Sequence, residues 1–121
     1  MPPSGLVVSQ YQGVAVVNFR DSSILDGATV QSIADELYEL VDQQAQRKIV
    51  LDFSQVRFLS SMMLGVLISL QKKSQDIKGK MVLCGLRADL YRVFEIMKLD
   101  KMLTFAKDEA EAMQKLEART L

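Results

Sequence analysis

Histidine is absent from this chain of 121 residues, and cysteine occurs once. Without histidine, the Ser-His-Asp and Cys-His nucleophile arrangements and all His-containing metal sites are excluded. The sequence also has no CxxC, P-loop or GxGxxG motif. An enzyme that relies on carboxylates alone is left open, but the acidic residues are spread along apparent helix surfaces, as expected of solvated faces. We therefore expect no enzyme, no metal site and no cofactor.

The chain carries no excess of either charge, with 15 Lys and Arg residues against 15 Asp and Glu residues. A net charge of zero creates no long-range field that would attract nucleic acid or an anionic membrane surface. The N-terminus has no signal-peptide pattern, and no apolar run is long enough to cross a bilayer. We expect a soluble, cytoplasmic protein with no nucleic-acid partner and no direct membrane insertion.

The single cysteine cannot form an internal disulfide. Cys84 ends the apolar run Met81-Val82-Leu83-Cys84, where a buried strand residue is its expected role. Only two prolines and six glycines interrupt the chain, and 49% of the residues are hydrophobic. These proportions predict one compact domain over residues 1–121 with one core.

Five segments have the composition of β-strands. Residues 6–8 and 13–19 are β-rich runs separated by a short polar stretch, which predicts a hairpin. Residues 48–53 form the compact apolar run expected of a central strand that is buried on both faces. Residues 81–84 and the pair Thr104-Phe105 predict two further strands.

Four segments have helical spacing, and polar connections separate them from the strands. Residues 20–25 are predicted to be such a connection, and Asp26 is placed to cap or closely precede the first helix. Asp108 and Glu111 resemble a capping box before the last helix. The order is β-β-α-β-α-β-α-β-α, which predicts an α/β fold with a mostly parallel mixed sheet, an antiparallel N-terminal edge strand and about four helices. In chain order, the apolar positions of the four predicted helices are Val30, Ile33, Ala34, Leu37 and Val41; Met63, Val66, Leu67, Leu70 and Ile77; Leu90, Val93, Phe94 and Met97; and Ala112, Met113 and Leu116.

Two adjacent serines, Ser60 and Ser61, lie where a short apolar stretch ends and the second helical run, at about residues 61–78, begins. A helix start leaves backbone N–H groups unpaired and carries a partial positive charge. A serine there can cap the helix or, when modified, hold a phosphate. The local sequence leaves both interpretations open.

An apolar patch is predicted on the same side of this helix as Ser61. At about 100° per residue, Leu64 and Ile68 leave the core stripe and project toward Ser61, with Gly65 beside them. A patch of this kind is typical of a contact surface for a partner. A neighbouring helix covering Ile68 is the alternative, and Met62 is either a contact at the rim or simple packing.

Several of these segments resemble the STAS domain and, more narrowly, the bacterial anti-sigma factor antagonists. The resemblance rests on the order of the elements and runs from about Leu6 to Leu116. The segments are Leu25-Asp26, Ile49-Val50-Leu51-Asp52-Phe53, Phe58-Leu59-Ser60-Ser61 with Leu64-Gly65, and Gly79-Lys80-Met81-Val82-Leu83-Cys84.

The resemblance implies a phosphorylated serine at the start of the second helix. The family motif is Asp-Ser-[Ser/Thr]-Gly-Leu-Gly, and its acceptor falls on Ser61, with Ser60 as the runner-up. The Leu-Gly of the motif falls on Leu64 and Gly65, and a family aspartate near the acceptor falls on Asp26. The chain departs from the motif in having Ser60, Met62 and Met63 in place of the aspartate, the second hydroxyl residue and the first glycine.

Such proteins bind an anti-sigma factor that is also an ATP-dependent serine kinase, and phosphorylation of the antagonist ends the binding until a serine phosphatase resets it. The resemblance implies the same partners here. An alternative is a STAS subunit of a lipid-transport or stressosome-like assembly, with the serines acting only as caps. A nucleotide-binding domain ranks last, because no phosphate-cradling glycine loop is present. The expected partner-binding residues are Asp26, Ser60, Met62, Leu64, Gly65 and Ile68.

Overall fold

Seven strands and four helices make up residues 5–117, the part of the chain that the computed structural model describes. None of the helices in this part is long and apolar enough to cross a membrane. In chain order the elements are β1 (Leu6–Tyr11), β2 (Val14–Phe19), β3 (Ser23–Ile24), α1 (Gly27–Asp42), β4 (Lys48–Asp52), β5 (Phe58–Leu59), α2 (Ser61–Asp76), β6 (Lys80–Cys84), α3 (Ala88–Ile96), β7 (Thr104–Ala106) and α4 (Glu109–Glu117).

The main sheet has five strands in the order β1-β2-β4-β6-β7. Strands β1 and β2 form the antiparallel edge, and every other neighbouring pair is parallel. The predicted mixed sheet with an antiparallel N-terminal edge is therefore confirmed. Strand β4 lies in the middle, and Ile49, Val50 and Leu51 are all fully buried, as expected of a central strand covered on both faces.

Helices cover the two faces of this sheet unequally. Side chains alternate along β4, so Ile49 and Leu51 point into the larger core, whereas Val50 points to the other face. On that other face α4 packs against β4, β6 and β7. Cys84 is fully buried there, as the sequence predicts. The smaller cluster comprises Val14, Val16, Val50, Val82, Cys84, Ala112 and Leu116.

The expectation that residues 20–25 form only a polar connection was wrong. Ser23 and Ile24 form β3, which pairs in parallel with β5 in a separate two-stranded sheet. Two residues are too few for an alternating pattern to reveal a strand. Burial of Ile24 in the larger core holds this small sheet in place.

The second and third predicted helices are present, but the end of α2 and the buried residues of α3 differ from the prediction. In α3, Leu90 and Phe94 are buried, but Val93 and Met97 are exposed instead of joining the core stripe. Met97 lies beyond the last helical turn as the C-cap, where the helical spacing no longer applies. Helix α2 ends at Asp76, earlier than residue 78.

Candidate functional site

Strands β3 and β5 bring two helix starts to the same edge of the molecule. Ile24 pairs with Leu59, and the backbone N–H of Ser60 donates to the carbonyl oxygen of Ile24 at 3.0 Å. Asp26 and Ser61 each lie two residues beyond this pair. Asp26 is the N-cap of α1 and Ser61 is the first residue of α2, so they lie in two neighbouring strand-to-helix connections.

The two serines have different local roles. Ser60 is the N-cap of α2, and its Oγ accepts a hydrogen bond from the Met63 N–H at 3.1 Å. This bond satisfies one of the unpaired N–H groups at the helix start. Ser61 is the first helical residue, and its side chain is exposed. Capping thus falls on Ser60, and the hydroxyl of Ser61 stands at the positive end of α2 in solvent.

Asp26 caps α1, which confirms its predicted position. Its Oδ2 accepts from the Thr29 N–H at 3.0 Å and from Thr29 Oγ1 at 3.1 Å. A carboxylate is stabilised at a helix start by the same unpaired N–H groups and partial charge that act on α2. Asp26 therefore presents a negative charge at the edge that carries Ser61.

The other residues expected to bind a partner are not all at the surface. Met62 is 47% exposed, and Gly65 is exposed with open space where a Cβ would lie. Leu64 is only 6% exposed, and Ile68 is half-buried against the same core. The expected exposure of Leu64 was therefore wrong, whereas the partial burial of Ile68 agrees with the alternative that a neighbouring element covers it.

The burial of Leu64 has a structural cause in the position of α2. This helix packs against α1 and against β6, so its apolar arc is wider than a single stripe. Leu64 lies outside the stripe predicted from the sequence but within this wider arc, and it belongs to the core together with Leu67. The sequence alone does not show which of the two arcs has a neighbour.

An apolar depression beside the serines was missed at the level of sequence. Leu25 directly follows β3, Phe58 is the first residue of β5, and each is 56% exposed. With Val93 of α3 they line a cavity of about 290 Å³. The sequence does contain these two large apolar residues close to Asp26 and Ser60, but it does not show that both are exposed. The other lining residues are Arg57, Leu59, Asp89 and Leu90.

This edge offers no ligand set for a metal ion. Within residues 5–117, no group of three or more Asp, Glu or Cys side chains lies close enough together to hold one. What the site presents is an accessible hydroxyl, a carboxylate and exposed apolar side chains. Such a combination suits modification and protein contact.

The sequence matches a known family over most of its length. The profile of the STAS domain matches residues 6–112, and the chain belongs to this family. BtrV of Bordetella bronchiseptica, whose name assigns it to the anti-sigma factor antagonists, is 29% identical over 92 residues, which is 76% of this chain and 70% of BtrV. An anti-sigma F factor antagonist of Paenibacillus polymyxa is 26% identical over 110 residues, covering 91% of this chain and 92% of that protein.

Solved structures share the fold at lower identity. An anti-sigma factor antagonist from Mycobacterium paratuberculosis superposes with a TM-score of 0.81 at 22% identity, covering 93% of this chain and 92% of the other. The phosphorylated form of SpoIIAA from Bacillus gives a TM-score of 0.70 at 19% identity, covering 91% of this chain and 97% of the other. The predicted family is confirmed, and the relatives carry the narrower description that the resemblance implied.

Proposed function

We propose that this chain is a cytoplasmic anti-sigma factor antagonist that is switched by phosphorylation of Ser61. The observation that carries the proposal is the division of roles between the serines, because Ser60 caps α2 and Ser61 is exposed at its first residue. The names of both sequence relatives and the phosphorylated form of SpoIIAA support it.

The switch follows from the charge of the modification. A phosphoserine carries about −1.5 to −2 charges at neutral pH, and the start of α2 offsets part of the cost within the antagonist by roughly 0.3–1 kcal/mol. Asp26, at the neighbouring helix start, has the same sign of charge as a phosphate on Ser61 and so cannot pair with it. Burying that phosphate under a partner is costly, so phosphorylation releases the partner and leaves the fold intact.

The partner in this proposal is an anti-sigma factor that is also a serine kinase, with a serine phosphatase as the resetting enzyme. It docks on Ser61 and on the exposed side chains around it. Met62 and Gly65 flank the acceptor on α2, and the depression between Phe58 and Val93 accepts an apolar side chain. Arg57 and Asp89 at that depression supply one charge of each sign for orientation.

The chain itself has no catalytic role in this proposal. The described site lacks an assembled nucleophile and base, and the phosphate is supplied by the kinase and ATP. Robust hydrolysis of ATP or GTP by the pure protein, lost on changing one residue, would contradict this part.

The test begins with a pull-down from the source cell to identify the partner by mass spectrometry, followed by incubation of the pure pair with ATP. We expect one phosphate, mapped to Ser61, that is abolished by Ser61→Ala and retained in Ser60→Ala. Ser61→Asp should fold normally and bind the partner more weakly, with a partial effect because an aspartate carries less charge than a phosphoserine. Ser69→Asp, an exposed position further along α2, is the matched control.

Phosphate found only on Ser60 would overturn the assignment of the acceptor. Unaltered binding by Ser61→Asp would overturn the electrostatic mechanism. Co-purification with a membrane ATPase, with no phosphate transferred, would favour the lipid-transport assembly instead.

A further inference from the structure

A cavity lies beside α4, on the face of the sheet opposite α2. Helix α4 packs against β4, β6 and β7, so the hairpin of β1 and β2 lies beside it rather than beneath it. The space between the hairpin and α4 has a volume of about 360 Å³, which is in the size range of small-molecule sites. Residues of three elements line it, and they include Ser9, Tyr11, Val16, Asn18, Glu109 and Met113.

Helix α4 runs in the opposite direction to the parallel strands beneath it. Just before α4, the Lys107 carbonyl oxygen accepts from the Gly85 N–H, which follows the end of β6. Near the end of α4, the Lys115 carbonyl oxygen accepts from Nζ of Lys80, the first residue of β6. Because β2, β4 and β6 are parallel to one another, α4 is also antiparallel to β2.

The polar side chains of the cavity therefore collect at one end and the apolar side chains at the other. Glu109 begins α4 and lies toward the end of β2, where Asn18 is located. Met113 is one helical turn further, about 6 Å along the axis. Val16, on the same face of β2 as Asn18, is about 7 Å from it along the strand. Both walls of the cavity thus change from polar to apolar over a similar distance.

Tyr11 adds an aromatic side chain beyond the apolar end. It pairs with Val14 at the start of β2, next to the tight turn formed by Gln12 and Gly13. Both turn residues have positive φ angles, 51° and 80°, as in the two-residue turns that match the twist of a hairpin. The turn fixes the backbone position of Tyr11, whose side chain is 58% exposed.

The hydrogen-bonding groups at the polar end suit a cation. Among the described residues that line the cavity, Glu109 carries the only carboxyl group, and there is no Lys or Arg. A carboxylate and the carbonyl oxygen of an asparagine both accept hydrogen bonds, and an ammonium group donates three. We propose that the cavity binds a small primary amine with an aromatic ring, whose ammonium group lies between Glu109 and Asn18. The ring packs on Val16 and Met113.

The size and shape of such a ligand agree with the cavity. An ammonium group separated from a phenyl ring by two carbon atoms spans a distance similar to one helical turn. The thioether of Met113 makes favourable contacts with an aromatic ring, and the Tyr11 ring offers an edge or a face at the far end. A ligand that carries a carboxylate instead is repelled by Glu109.

The test is a set of NMR titrations of the full chain with four probes. Interaction with Asp52 and then burial raise the pKa of Glu109 to about 7, so the titrations are run at about pH 8.5, where Glu109 is ionised and a primary amine is still protonated. We expect saturable binding of phenethylamine, with the largest changes in amide chemical shift at Ser9, Val16 and Met113. Phenethyl alcohol, phenylacetate and ethylamine should each bind at least about tenfold more weakly, because they lack the charge, reverse it or lack the ring.

Two variants alter the cavity, and one serves as the matched control. Glu109→Gln should weaken the binding of phenethylamine about tenfold and leave that of phenethyl alcohol unchanged. Glu111→Gln removes a charge from the same helix at a side chain that accepts from the Lys107 N–H, and it should bind as the parent does. Ala110→Leu, at an exposed position of the lining, should fill part of the space and weaken the binding of both probes. This variant carries the test if Glu109→Gln folds poorly.

Three results would overturn the proposal. They are the absence of saturable phenethylamine binding at millimolar concentrations, equal binding of phenethylamine and phenylacetate, and chemical-shift changes confined to residues outside the cavity. Binding that neither Glu109→Gln nor Ala110→Leu weakens would also overturn it. None of these measurements involves a partner or Ser61, so the result is independent of the proposed switch.

Discussion

The backbone N–H of Ser60 donates to the carbonyl oxygen of Ile24 at 3.0 Å, and this bond fixes the start of α2 beside the end of β3. The bond continues the parallel pairing of β3 with β5 by one residue. It places the start of α1, capped by Asp26, and the start of α2, capped by Ser60, at the same edge of the molecule. The register of a two-residue strand pair thereby sets the geometry of the site.

Removal of the α2 cap should lower stability without touching the proposed acceptor. Ser60→Ala leaves the Met63 N–H without its partner, and we expect a loss of about 1 kcal/mol, within roughly 0.5–2 kcal/mol. Ser60→Asn should restore most of it, and Ser61→Ala should change stability little because that side chain is exposed. Urea unfolding of the three variants measures this. A larger loss at Ser61 than at Ser60 would contradict the assignment of the cap.

Leu64 and Leu67 should behave alike on truncation. Both are buried in the larger core, so Leu64→Ala and Leu67→Ala should each cost about 2–5 kcal/mol of unfolding free energy. Denaturant unfolding with the slope checked for two-state behaviour is the measurement. A near-neutral Leu64→Ala would show that this residue belongs to the surface, as first expected from the sequence.

Phe58 should contribute to partner binding and little to stability. Its side chain is 56% exposed at the depression beside Ser60, so Phe58→Ala should change stability by about 0.5 kcal/mol or less and weaken partner affinity by more than about 1 kcal/mol. The matched control is Tyr11→Ala, because Tyr11 is 58% exposed and lies beside α4, on the opposite face of the sheet. Isothermal titration calorimetry of both variants with the partner compares them. If both variants bound the partner with the same affinity, Phe58 would not belong to the interface.

Gly65→Ala should stabilise the fold while impairing docking. No atom outside the helix lies within 4 Å of the Cβ position, and an alanine inside a helix gains roughly 0.5–1 kcal/mol over glycine. The added methyl group projects one turn beyond Ser61, so partner affinity should fall. Gly79→Ala is the contrasting case. Its Cβ would lie 2.7 Å from the Arg47 carbonyl oxygen, so this substitution should destabilise the protein. Thermal unfolding together with a binding assay separates the two effects.

The sequence by itself determined most of the elements and the position of Asp26 at the start of α1. The apolar run of β4, the helical spacing of α1 and the position of Asp26 before it are local patterns, since they depend on the period of the backbone and on residues three or four apart. The same local rule identified Ser60 and Ser61 as N-cap candidates. It could not decide between them, because both are compatible with the start of α2.

Only the tertiary structure decided which surfaces are exposed and which distant groups meet. The short β3 and β5 become strands only in each other's presence, and Leu64 is buried because α1 and the sheet both contact α2. Asn18 of β2 and Glu109 of α4 are far apart in the chain, yet both line the cavity between β1, β2 and α4. Burial and long-range pairing depend on how elements pack against one another, and no local pattern of residues contains that information.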